Sequence, residues 1–134
     1  MSSIFTKIIA GDIPSYKVAE DAHNIAFLDI RPLKKGHTLC VPKVEVEELY
    51  ELPEEDYQRL MVFSQRVAQA LKKAVPCKRI GSMVLGMEVP HAHMHLVPID
   101  AEHELSFSNT PLSLSSEEMM SIARTISDAL GSSE

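Results

Sequence analysis

Tryptophan is absent from this chain, and its 134 residues hold only two cysteines and five glycines. Cys40 and Cys77 are far apart, and neither belongs to a Cys-x-x-Cys pair. A zinc knuckle and a disulfide framework are therefore not expected. The two thiols read as buried or free groups of a reducing compartment, with the cytoplasm as the expected location. No apolar run nears the ~20 residues that a membrane-spanning helix needs. The opening segment, Met1 to Pro14, carries Lys7 and Asp12 and lacks the apolar stretch and cleavage site of a secretory signal. Positive charge is also scarce: 13 lysines and arginines face 19 acidic residues, a formal net charge of −6. That balance argues against a nucleic acid polymer as partner. An anionic ligand has to be gripped by local groups against the overall field, which favours a small molecule in a pocket. Repeats and low-complexity tracts are missing too. A hydrophobic content of 45% is ordinary for a globular protein, and one domain spanning 1–134 is expected.

Histidine, by contrast, is concentrated. Three of the six histidines fall within His91-Ala92-His93-Met94-His95-Leu96-Val97. On a strand, alternate residues share a face and stand about 6.5–7 Å apart. The three imidazoles then form one face, while Ala92, Met94 and Leu96 form an apolar face for a core. Such a row suits a metal site, or an anion site with a nucleophilic or acid–base histidine, or a merely solvated strand. Three imidazoles in register on an apolar-backed strand weigh against the last. Imidazoles at i and i+2 are splayed for closure around one ion, and no carboxylate or cysteine adjoins them in sequence, which weighs against the first.

Elsewhere the pattern predicts alternating strands and helices. Ile4 to Ile9 reads as one or two helical turns, closed by Gly11 and Pro14. Tyr16 to Glu20, Asn24 to Leu28, Thr38 to Val41, Arg79 to Leu85 and His91 to Val97 are strand candidates. The last two are expected to pair antiparallel across a turn at Gly86 to Pro90. Glu54 to Ala74 is the best helix: Pro53 suits its first position, three acids occupy the first turn, and Lys72 and Lys73 the last. Leu60, Phe63, Val67, Ala70, Leu71 and Ala74 recur at helical spacing. A further helix is expected from about Glu117 to Leu130, capped by Ser115 and Ser116 and stopped at Gly131. Met1 to Ser3 and Gly131 to Glu134 read as loose ends, His23 and His103 as surface residues. Met87, Met94, Met119 and Met120 read as packing residues. Strands gathered around one long helix argue an α+β fold with an antiparallel sheet.

The strand from His91 to Val97, followed by Pro98, resembles the signature of the histidine triad (HIT) family. Ser3-Ile4-Phe5 with Lys7-Ile8-Ile9 and Ile13-Pro14 resembles that family's opening segment. Ala26 to Ile30, Pro32, Gly36 to Leu39 and Val41 to Lys43 resemble its nucleotide-binding hairpin. The likeness covers roughly Ile4 to Pro98 and is nearest to the Hint-like branch. It implies a HIT-like fold: about five antiparallel strands, one long central helix and a C-terminal helix. It also implies a homodimer whose sheets join into one, and a nucleotide hydrolase or transferase without a cofactor. Cleavage would fall at the α-phosphate of a purine nucleotide conjugate, of phosphoramidate or adenylate type.

By resemblance, His93 is the nucleophile, forming a nucleotidyl–imidazole that water resolves. His91 supplies the backbone carbonyl that holds the other ring nitrogen of His93. His95 and His37 face the phosphate and the leaving group. Asp29 takes the ribose hydroxyls, and Ile4, Phe5, Ile8, Phe27 and Ile30 enclose the base. The chain departs from the family before the triad. A short Gly86-Met87-Glu88-Val89-Pro90 loop puts Glu88 where a small hydroxyl usually holds phosphate. Dinucleoside polyphosphate hydrolysis is the alternative activity, and a nucleotide-binding module with little catalysis the alternative class.

Overall fold

The computed structural model describes residues 2–131. Its elements run α1 (Ile4–Ile9), β1 (Lys17–Glu20), β2 (Asn24–Leu28), β3 (Thr38–Pro42), α2 (Glu54–Ala74), β4 (Arg79–Met83), β5 (Met94–Ile99) and α3 (Ser116–Gly131). The five strands form one antiparallel sheet in the order β1-β2-β3-β5-β4. This is the α+β architecture the pattern predicts. None of the helices among the described residues is long and apolar enough to cross a membrane.

Local chemistry explains the elements. Between β1 and β2, Asp21 Oδ1 accepts from the amides of His23 and Asn24, both at 2.8 Å, and so closes the hairpin. In α2, the buried residues Leu60, Phe63, Ser64, Val67, Ala70 and Leu71 fall on one stripe. Its acidic first turn and basic last turn complement the helix dipole. Pro53 stands just before the helix, and its carbonyl accepts from Tyr57 N at 2.9 Å. In α3, Ser115 Oγ accepts from Glu118 N at 3.1 Å while Glu118 returns to Ser115 N at 3.0 Å. That reciprocal pair is a capping box.

Both faces of the sheet are covered. On one face, Val18, Ala26, Leu28, Cys40 and Leu96 pack with the stripe of α2 and with Met119, Ile122, Ala123 and Ile126 of α3. Leu60, Leu71 and Ile126 are fully buried there, each worth about 1.5–3 kcal/mol of apolar transfer. On the other face, Ile25, Phe27, Leu39 and Val41 pack with Phe5 of α1. Double coverage is why every residue of β2 and β3 is buried.

Several expectations need correction. The triad strand begins at Met94, not His91, and continues through Pro98 to Ile99. β3 pairs with β5 as far as Cys40 opposite Met94. Continuing the ladder needs a donor where Pro42 has none. Ala92 N donates instead to Val46 O at 2.7 Å. Pairing with β3 ends at Leu96, so Pro98 is flanked by β4 alone, an edge-like place that tolerates proline. Ser3 is not loose: it is buried and caps α1, its Oγ accepting from Thr6 N at 3.0 Å. Gly131 is not loose either, being the last residue of α3, while Met1 and 132–134 lie outside the described residues. Met119 is buried and Met94 packs on the core, but Met87 is 89% exposed and Met120 is also exposed. His23 and His103 are exposed as expected.

Gly36 positions the segment that enters β3. Its φ is +93°, and an added Cβ would stand 3.0 Å from Leu71 Cδ1 and 3.1 Å from Val75 Cγ2. The chain thus turns tightly against the end of α2, and His37 follows on the turn's far side.

Candidate active site

β5 and the nine residues from Asp29 to His37 bring the histidines together. His95 lies opposite Leu39 in the ladder and so shares the α1 face of the sheet. The His93 and His95 rings stand 5.0 Å apart, centre to centre. His37 Nε2 is 2.9 Å from His95 Nδ1. Asp29 Oδ2 is 3.6 Å from His37 Nε2, and Asp29 Oδ1 accepts from Arg31 N at 2.9 Å. The carboxylate that adjoins no histidine in sequence is therefore beside two of them in space.

The backbone partners fix where each proton sits. His93 Nδ1 is 2.7 Å from the His91 carbonyl, which can only accept. Nδ1 therefore carries the proton, and Nε2 keeps its lone pair. At His37, the Leu33 amide donates to Nδ1 at 3.0 Å. Its proton is then on Nε2 and is donated to His95 Nδ1. His95 must carry its own proton on Nε2. One ring thus offers a lone pair, and its neighbour offers an N–H. His91 Nε2 donates to the Pro42 carbonyl at 2.7 Å, which leaves Nδ1 to accept from Ser3 Oγ at 2.7 Å.

Burial disfavours the charged form of His93, His37 and His95. It pushes His93 below the ordinary imidazole value, with the His91 carbonyl opposing. It lowers His37 as well, against the pull of Asp29. His95 is pushed down to about 3, by burial first and then by the neighbouring His37 and His93. A neutral nucleophile with a fixed tautomer, beside a neutral N–H donor, is suited to attack at phosphorus.

The other sequence-derived residues divide. Phe5 packs edge-to-face on His93 at 4.9 Å and on Phe27 at 5.5 Å, with Ile8 against the same cluster. Ile4 and Ile30 open to solvent, Ile30 at 76% exposure, and Glu88 is exposed in the loop before the triad. His91 and His37 are fully buried and hydrogen-bonded within the protein. His37 meets His95 and not open space, and the His91 carbonyl faces His93. Sequence reading missed Phe107. Its ring is 4.9 Å from His95 and 6.3 Å from His37, and it is 45% exposed. An isolated aromatic in a serine-rich stretch was the available signal. A depression of about 360 Å³ lined by Asp21, His23, Arg59 and Arg66, among others, lies elsewhere and includes none of the triad.

Among the described residues, one group could hold a metal: Asp29, His37 and His95, with donor atoms within 4.8 Å of one another. The fit fails on a proton. The Leu33 amide requires the lone pair of His37 on Nδ1, so Nε2, the atom facing the group, is protonated. A metal there would force the proton onto Nδ1 against that amide, or off the ring altogether.

The sequence model of the HIT domain matches residues 10–102. The hit protein of Bacillus subtilis (strain 168) is 43% identical over 102 residues, covering 71% of this chain and 69% of that one. An adenosine 5′-monophosphoramidase of Schizosaccharomyces pombe is 33% identical over 132 residues, covering 97% and 99%. A zinc-bound histidine triad family protein from Mycobacterium smegmatis superposes with a TM-score of 0.82 at 29% identity, covering 100% and 99%. With the triad in place, the fold matched end to end and the domain model spanning most of the sequence, this chain belongs to the HIT family.

Proposed function

We propose that this HIT-family nucleotide hydrolase/transferase cleaves at the α-phosphate of a purine nucleotide conjugate, of phosphoramidate or adenylate type, with His93 as nucleophile. The observation that carries the reading is the 2.7 Å contact between His93 Nδ1 and the His91 carbonyl. It commits the free lone pair to Nε2. With an adenosine phosphoramidate, Nε2 attacks phosphorus, a P–N bond to His93 forms, and the bond to the departing nitrogen breaks. That nitrogen, protonated from solvent, leaves as the amine. The nucleotidyl–imidazole is now cationic, and the carbonyl at Nδ1–H holds the new charge, a contact stronger after attack than before it. Water then displaces His93, gives up a proton to solvent and releases the nucleotide and the neutral ring. His95 Nε2–H offsets charge on the phosphoryl oxygens, and His37 holds His95 in that tautomer. Asp29 takes the ribose hydroxyls. Phe5, Phe27 and Ile8 form the apolar wall for the base, with Ile4 and Ile30 covering it.

A homodimer belongs to the same proposal. Both β1 and β4 end the sheet. β1 is blunted by a bulge and by charged Lys17 and Glu20, whereas β4 keeps a regular register, so β4 is the edge open to a second copy. The free thiols Cys40 and Cys77 suit a cytoplasmic setting. The alternative reading, nucleotide binding with little turnover, draws on the carboxylate of Glu88 in the short loop before the triad.

The test is turnover. The purified protein is incubated with an adenosine phosphoramidate, a diadenosine polyphosphate and AMP, with His93→Ala in parallel. Expected is metal-independent cleavage of the phosphoramidate that drops by about 10³-fold or more in the variant. Tight AMP binding without cleavage of either conjugate supports the binding module and sinks the enzyme.

A further inference from the structure

Residues 91–93 precede the ladder of β5, so sheet hydrogen bonds do not fix the carbonyl of His91. The Ala92 amide, in the same planar peptide unit as that carbonyl, donates to Val46 O at 2.7 Å, and two other segments hold the ring of His91. From β3, the Pro42 carbonyl holds His91 Nε2 at 2.7 Å. From the N-terminal side, Ser3 Oγ meets His91 Nδ1 at 2.7 Å. Ser3 is fixed in turn: its amide donates to Glu45 Oε1 at 2.8 Å, and its Oγ accepts from Thr6 N at 3.0 Å. Thr6 Oγ1 donates to the same Glu45 oxygen at 2.5 Å. These contacts join residues separated by 42, 39 and 88 positions in sequence. Next to Glu45, Val46 O takes the Ala92 amide. The hydrogens sort in one direction. The proton of Thr6 is committed to the carboxylate, and that of Ser3 goes to the shorter contact, His91 Nδ1. His91 is then bolted on both sides of its ring.

We propose that Ser3, Thr6 and Glu45 are positioning residues for the nucleophile: they lock the ring of His91, and through its carbonyl they hold the proton of His93 on Nδ1. The proposal rests on the reading of His93 as the attacking group. The Pro42 carbonyl fixes the tautomer of His91, and the hydroxyl of Ser3 fixes the rotation of its ring. The carboxylate of Glu45 fixes Ser3 and Thr6 at the start of α1, whose Phe5 also flanks His93. Without the latch, the His91 carbonyl moves off line, and His93 divides its proton between both nitrogens. Part of the population then presents an N–H to phosphorus and cannot attack. The latch changes how much enzyme is competent, not how substrate is gripped, so it acts on kcat and spares KM.

Ring ¹⁵N NMR of the full chain without substrate reads the tautomers, and adenosine phosphoramidate hydrolysis reads kcat and KM. Expected in the wild type is a single Nδ1–H form of His93 and a single Nε2–H form of His91. In Ser3→Ala, His93 becomes a mixture, and kcat falls by about tenfold with KM within about twofold. Ser3→Thr restores both readouts. Glu45→Gln, at an exposed side chain, moves both in the same direction by a smaller step and serves if Ser3→Ala does not fold. An unchanged His93 tautomer in these variants overturns the proposal, whether or not the rate falls. A wild type that cleaves no conjugate ends the functional reading, and the spectra alone then decide the latch.

Discussion

A neutral imidazole in water divides its proton between two nitrogens, and either lone pair is available for attack. At His93 the carbonyl of His91 removes that choice. At His37 the Leu33 amide does the same with opposite sense, and the consequence passes to His95 through one shared hydrogen bond. Two backbone groups thus decide the roles of three side chains. Burial sets the second property, charge. Unfolded histidine titrates near pH 6.5, and burial holds His93 below that value. The neutral form that the proposed attack requires therefore persists as pH falls past 6.5. Turnover at saturating substrate is expected to stay level from pH 8 to about 6.5 and to decline only at lower pH; a half-maximal rate at or above pH 6.5 would contradict this. The same shift is a stability statement. Below about pH 6.5 the unfolded chain takes up protons that the folded rings refuse. Stability is complete above that pH and is lost progressively toward the value of about 3 at His95. Urea midpoints measured at pH 7.5 and pH 5 are expected to fall in that order.

At the scale of elements, Gly36 combines a left-handed backbone with close packing at the entry to β3. Its positive φ strains any other residue, and a Cβ would crowd Leu71 and Val75. Gly36→Ala is expected to destabilise the fold by about 1–3 kcal/mol, read as a lower denaturant midpoint with unchanged slope. A midpoint equal to the wild type would show that the turn relaxes freely. Elements defined by local pattern were legible from sequence. The helix Glu54–Ala74 was, because its stripe, acidic start and basic end all agree. The start of the triad strand was not, because Pro42 ends the ladder from a different strand. Neither was the meeting of Asp29, His37 and His95, which depends on how β2, β3 and β5 line up. Ser3 and Glu45 were hidden for the same reason: nothing in a short polar residue announces a partner 42 or 88 positions away. Phe107 follows the last recognisable motif, and the fold alone brings it to His95.

The whole molecule divides its labour between two faces of one sheet. The α2–α3 face holds the larger apolar cluster. The α1 face combines a smaller cluster with the histidines, so the site stands on strands braced from behind. The regular edge at β4 leads to an expectation about assembly. Sedimentation equilibrium is expected to give twice the chain mass, and Ser82→Pro, at an exposed residue of β4 whose amide lies on the outer edge, to shift it toward the monomer. A wild-type monomer at every concentration would remove the homodimer. The proposed reaction turns on a transient bond between phosphorus and His93. Rapid acid-free quenching of a turnover with adenosine phosphoramidate, followed by peptide mass spectrometry, tests it directly. An AMP adduct is expected on the peptide that contains His93, located on that residue and absent from His93→Ala. An adduct on another residue, or undiminished turnover by His93→Ala, would contradict it.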